Sequence, residues 1–218
     1  MKTIKRLLFV SFLLFGYLIS NAQTESTTVY PDMKIDIGFE RFNVSSIRNR
    51  YKGSILDYTY MQSNGAEVRI TSYRRGSEIE VFEKFPAPYI HTLYKEFYPD
   101  GRLKQKGVLL PRQVKIGKWI ECDRNGNHKI IDHEVGREGF GYNDVLLYLE
   151  HEDYYNSTDN TWSYLFSHSS GKWTVRLSKG TVQYKRYIFD DKTGDVIEEE
   201  LYKASAPPAT YDYEPEKE

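Results

Sequence analysis

Residues 94–107 read YKEFYPDGRLKQKG, and their pattern decides the fold class. Aromatic and charged residues alternate up to Tyr98. Pro99, Asp100 and Gly101 then supply a turn, and Arg102, Lys104 and Lys106 recur at every second position. A period of two belongs to a strand, whose side chains point alternately to opposite faces. The stretch therefore reads as a β-hairpin, with Leu103 directed inward and the three cations forming an outward row.

The same period extends in both directions. Residues 33–42 place Ile35, Ile37 and Phe39 on one face. Ile55, Tyr58 and Tyr60 lead into Asn64-Gly65, a pair that accepts the positive φ angles of a tight hairpin, and Val68 and Ile70 follow. Strands are expected over 78–85 and 89–98. The chain holds 19 tyrosines, and aromatic side chains suit a pleated, half-buried surface. Helical spacing is confined to a short piece at 44–51 and to 142–154. In the second, Val145, Leu146 and Leu149 share a face behind Asn143 or Asp144 as cap.

The opening motif recurs. A shift of 25 residues lays Tyr94 on Trp119, Glu96 on Glu121, Phe97 on Cys122, Gly101 on Gly126 and Lys104 on Lys129. Stacked hairpins produce a period of this kind, because one hairpin alone cannot bury its face. Two copies are too few for an array, so these hairpins must pack on the rest of the chain.

Phe97, Tyr98, Asp100, Gly101, Gly117, Trp119, Asp123 and Gly126 carry a pattern that resembles the variant MORN repeat of bacterial antitoxin-like and exported proteins, over residues 90–134. Cys122 stands where that pattern has an aromatic. The resemblance implies stacked β-hairpins and a binding role, including toxin neutralisation, and implies no catalytic residue. Residues 142–201 are similar to PepSY-type domains, small α+β modules of exported proteins. The similarity rests on a helix followed by Trp173, Val175, Tyr187, Phe189, Asp190, Thr193, Gly194 and Val196. It implies a binding or inhibitory module.

The chain begins MKTIKRLLFVSFLLFGYLISNAQ. Three cations precede an apolar run from Leu7 to Ile19, too short for a membrane-spanning helix, and Ser20-Asn21-Ala22 offers small residues for a signal peptidase. The expected organisation is a signal peptide at 1–22, a hairpin region at 23–136, a helix-plus-sheet region at 137–203, and a disordered proline-rich, acidic tail at 204–218. The junction is expected at 136–141, where strand alternation stops. The expected location is periplasmic or extracellular, in a bacterium, with no integral membrane segment after cleavage. Loss of Lys2, Lys5 and Arg6 from the 30 basic residues leaves 27 against 31 acidic ones, a net charge of −4. That mild acidity argues against nucleic acid as a partner.

No catalytic constellation emerges. Cys122 is the one cysteine, so no intrachain disulfide can form. A nucleophile would need a base, for which His128 and His133 are nearest in sequence, but its place in the repeat register reads as a small core residue. His133-Glu134 and His151-Glu152-Asp153 lack the second histidine of a helical zinc motif. The Asp123 and Asp190 loops place their glycines too early for calcium and read as turns. No phosphate-binding Gly-Lys-Ser/Thr loop or Gly-x-Ser-x-Gly elbow occurs. No metal or cofactor is expected.

Charge supplies the remaining candidate site. Arg102, Lys104, Lys106, Arg112, Lys115 and Lys118 fall between residues 101 and 119 with no acidic residue among them. Such a stripe suits an acidic protein or an anionic glycan. The residues favour the plainer reading, a solvated sheet face whose lysines discourage edge pairing. The fold expected is mainly β, antiparallel stacked hairpins followed by a small helix-plus-antiparallel-sheet module. The function expected is that of an exported, non-enzymatic binding protein, antitoxin-like in its sharpest form, with a protein partner. The alternatives are an envelope-associated hydrolase and a structural envelope protein that binds an anionic glycan.

Overall fold

The computed structural model describes residues 25–52, 54–134, 139–156, 161–180 and 183–203. The signal peptide and the tail of the expected organisation, and residues 136–138 of its 136–141 junction, lie outside the described residues.

The chain is mainly β and antiparallel throughout. A short hairpin of β1 (Ser26–Val29) and β2 (Met33–Asp36) leads to a 3-10 helix, Val44–Arg50. Seven strands then form one meander in sequence order: β3 (Leu56–Met61), β4 (Glu67–Ser72), β5 (Ile79–Lys84), β6 (Thr92–Phe97), β7 (Leu103–Leu110), β8 (Val114–Cys122) and β9 (His128–Asp132). Helix α1 (Tyr142–His151) follows. A four-stranded meander ends the fold: β10 (Ser163–Ser169), β11 (Lys172–Lys179), β12 (Gln183–Asp190) and β13 (Val196–Lys203).

The hairpin turns share one construction. Tyr98 and Asp123 each donate their N–H to the carbonyl four residues on, Arg102 at 2.8 Å and Asn127 at 2.9 Å, and each accepts from a glycine at positive φ, Gly101 and Gly126. Gln62 does the same with Ala66 and Gly65. Its hairpin is read from Asn64-Gly65, but as a third copy it falls outside the 25-residue register and shares few residues with the other two, Tyr58 at the place of Tyr94 and Ile70 at that of Ile131 among them.

One face of the seven-stranded sheet is buried in two halves. At the end bearing the β4–β5, β6–β7 and β8–β9 turns, Leu56, Val68, Ile70, Ile79, Phe97, Leu103 and Ile120 pack beneath Ile47 of the 3-10 helix. At the other end Leu93, Val108, Leu110 and Ile116 join a core with Val29, Ile35, helix α1 and the inner face of the four-stranded sheet. That core draws on residues from both sides of the expected junction. Removing side chains such as Trp173, Tyr187 and Phe189 from water stabilises the fold by roughly 2–3 kcal/mol each.

Two sequence expectations are corrected here. The strand over 33–42 stops at Asp36, whose Oδ1 accepts the Gly38 N–H at 2.7 Å, and the chain turns. Ile35 and Ile37 are buried, but Phe39 is 56% exposed. The turn drops Glu40 onto the sheet between Lys95 (3.2 Å) and Lys106 (3.1 Å), so a band of charge separates the two halves of the core. The second helix ends at His151, three residues short of the expected 154.

Candidate partner-binding surface

The outward row of Arg102, Lys104 and Lys106 does not exist. Phe97 pairs with Leu103 and Glu96 with Gln105, so Lys104 is an extra residue in a β-bulge, which reverses the alternation after it. Lys104 and Gln105 both turn to Glu96, at 2.8 and 2.6 Å, on the outer face. Lys106 points to the buried face, is 4% exposed, and is paired with Glu40. Leu103 is fully buried, as its alternation implied.

The other cations of the stripe are scattered. Arg112 is exposed in the β7–β8 turn, at φ 66. Lys115 lies 4.1 Å above the Trp119 ring and donates to Gln105 Oε1 at 3.1 Å. Lys118 is exposed near the β1–β2 hairpin, its backbone N–H donating to Thr27 Oγ1. Trp119 itself is fully buried against Gly107, where any Cβ would fall 2.2 Å from the indole.

Arg102 belongs to a different surface. Turns β4–β5 (73–78), β6–β7 (98–102) and β8–β9 (123–127) emerge at one end of the sheet, and the segment 41–52 packs beside them. Phe42 donates its N–H to the Gly101 carbonyl at 2.8 Å, and the Arg75 guanidinium lies 5.4 Å from the Tyr51 ring. These four segments carry eight cations, Arg41, Arg48, Arg50 and Lys52, then Arg74, Arg75, Arg102 and Arg124, against three carboxylates, Glu78, Asp100 and Asp123. The local charge is +5 on a chain of net −1.

The carboxylates there are engaged in holding the turns. Asp100 accepts the Arg102 N–H at 3.0 Å and its Nε at 2.7 Å. Asp123 accepts the N–H groups of Asn125 and Asn127 and the Asn127 amide. Hydrogen bonds from the Arg102 amide, and from the Asn127 side chain, hold these two carboxyls below the ordinary aspartate range. Glu78 is held low by its own backbone amide, assisted by Lys104 and Arg124. All three therefore stay ionised through mildly acidic pH while leaving most guanidinium groups facing solvent.

Arginine and tyrosine interleave on this end. Arg50 lies 4.4 Å over Tyr58, Arg124 5.4 Å over Tyr98, and Tyr73 is 83% exposed. Stacking holds guanidinium groups in place while their donor edges remain open for carboxylates, phosphates or sulfates. Sequence reasoning missed the surface because its cations are spread over 41–124 and meet only when alternate turns are brought to one end. The pairs Arg48/Arg50 and Arg74-Arg75 were the available signal.

Among the described residues no three His, Cys, Asp or Glu side chains gather to hold a metal ion, and no helix is long and apolar enough to cross a membrane. Cys122 is buried, and burial raises its thiol pKa, with Asp123 adding to the shift. No protein-family model, curated protein or solved structure matches the chain.

Proposed function

We propose that the chain is an exported, non-enzymatic binding protein that docks its arginine-rich end on an acidic face of a protein partner. The observation that carries this reading is the concentration of eight cations, seven of them arginines and three of those stacked beside tyrosines, on the turns and the adjoining segment at one end of an otherwise acidic molecule. Arginine and tyrosine are enriched where binding energy concentrates, whereas a surface for non-specific anions needs only charge. The exposed apolar side chains of Ile55 and Tyr73 add area that a protein surface can cover. The likeness of residues 90–134 to antitoxin-like repeats supports a neutralising role, and the amino-terminal segment supports export.

The test is affinity capture from the native cell envelope, comparing wild type with Arg48→Glu/Arg74→Glu/Arg75→Glu. These exposed substitutions leave the melt nearly unchanged, within about 0.5 kcal/mol each. A captured acidic protein should be lost in the variant, and its binding to wild type should weaken steeply with salt. Capture of an anionic glycan instead would assign the surface to the envelope. A partner retained equally by the variant would overturn the reading.

A further inference from the structure

The end of the seven-stranded sheet opposite the arginine-rich turns holds a cleft of about 490 Å³, within the size range of small-ligand sites. Tyr89 from the β5–β6 loop and Trp162 at the start of β10 give it aromatic walls, and Pro111 from the β7–β8 turn lines it as well. Tyr154 meets the Trp162 indole edge-on, with ring centres 5.1 Å apart and planes at 89°. That contact orients one aromatic platform before any ligand arrives.

Thr92, Asn156 and Ser163 line the same cleft. The two hydroxyls can donate and accept, whereas Asn156 donates its Nδ2 to Glu150 Oε1 at 2.9 Å and keeps Oδ1 to accept. None of the lining residues is acidic, and Lys84 is among them. Arg112, next to Pro111, is held with Gln113 at positive φ, 66° and 62°. Hairpin turns ordinarily give such positions to Asn or Gly, and strain of this kind is retained where a side chain must be placed. Lys84 and Arg112 are exposed and enter no ion pair among the described residues. Flat rings, hydroxyls and two uncompensated cations therefore meet where no carboxylate opposes them.

A hexuronic acid presents the matching groups. The C–H face of its ring packs on the negative face of an aromatic side chain. Its hydroxyls lie around the ring edge, and its carboxylate takes charge-assisted hydrogen bonds from lysine and arginine. A proline-rich peptide also suits aromatic walls, but its prolines carry carbonyls and no N–H, which leaves Asn156 Oδ1 without a donor. We infer that this cleft binds a short oligosaccharide containing hexuronic acid, with its rings stacked on Trp162 and Tyr89 and its carboxylates held by Lys84 and Arg112. The site is separate from the arginine-rich end and does not rest on its role.

Trp119 and Trp173 are fully buried and Trp162 is half-buried in the cleft, so its emission reads ligand contact. The probes are short oligomers of galacturonic acid, of mannuronic acid, and of glucuronic acid alternating with N-acetylglucosamine. Maltotriose is the neutral control, and a proline–glutamate decapeptide is the competing class. At least one uronide should change the Trp162 emission saturably, and calorimetry should find it bound about tenfold more tightly than maltotriose. Lys84→Gln/Arg112→Gln, at exposed positions, should leave the thermal melt unchanged and reduce the uronide to the level of maltotriose. Trp162→Phe should abolish the emission response while calorimetry still detects the uronide. Arg48→Glu/Arg74→Glu/Arg75→Glu should bind it as wild type does, which keeps this outcome apart from that of the partner surface. No response to any uronide, equal binding of maltotriose, or full binding by Lys84→Gln/Arg112→Gln would overturn the inference. Loss of the uronide in the triple variant would place it at the arginine-rich end, and tighter binding of the decapeptide would make the cleft a peptide site; either result overturns the assignment.

Discussion

Lys106 Nζ lies 3.1 Å from Glu40 Oε1 on the buried face of the seven-stranded sheet, in a chain segment 66 residues away. Lys106 is 4% exposed, and Glu40 also reaches Lys95. Glu40→Ala should therefore lower stability by about 2–4 kcal/mol, because two desolvated ammonium groups lose their shared partner. Lys106→Met should cost less, since it removes the buried charge together with its need for a partner. Urea unfolding of both variants and of the double mutant measures the coupling, and additive effects would show that the pair is not one unit.

Charge and core separate within a few residues of the bulge. Leu103→Ala should cost about 2–5 kcal/mol, because its side chain is fully enclosed. Lys104→Ala should cost about 1 kcal/mol or less, since its pair with Glu96 is partly exposed. Thermal melts of the two variants check the order, and a reversed ranking would refute the bulge register.

Gly107 is the floor on which Trp119 lies. Gly107→Ala places a Cβ 2.2 Å from the indole, which cannot move without displacing Lys115 and Tyr94 stacked around it. Overpacking of this kind costs roughly 1–3 kcal/mol. The near-ultraviolet circular dichroism of the tryptophan bands should change with the melt, and a variant identical to wild type in both would contradict the packing.

His91 sets a pH dependence. It is fully buried beside Tyr142, and burial pushes its pKa down from 6.5 to about 4. Between those two values the unfolded chain takes up a proton that the folded chain does not. Stability is then complete above about pH 6.5 and falls by about 3 kcal/mol as the pH drops to about 4. His91→Phe should remove this slope while keeping the ring contact. The carboxylates held low by their turns, Asp100 and Asp123 among them, act below that window. Denaturant titrations at pH 7, 6, 5 and 4.5 read the difference between the two chains directly.

The meander of hairpins, the short helix before it and the helix after it were legible in the sequence, because each follows from local rules. Side-chain period sets strand or helix, and Asn64-Gly65, Gly101 and Gly126 supply turns that other residues adopt poorly. Leu103 and Cys122 could be placed in the core from alternation and repeat register alone. The tertiary structure decided what alternation cannot encode. One extra residue at Lys104 reversed the faces beyond it and took Lys106 inside, where Glu40 arrives from a distant turn. The arginine-rich end arises because successive hairpins return every second turn to the same edge, gathering cations that the chain keeps up to 83 residues apart, from Arg41 to Arg124. The Trp162 cleft likewise needs three separate loops to meet. Periodicity is a property of neighbours along the chain, whereas bulge register and convergence depend on packing between segments far apart in sequence.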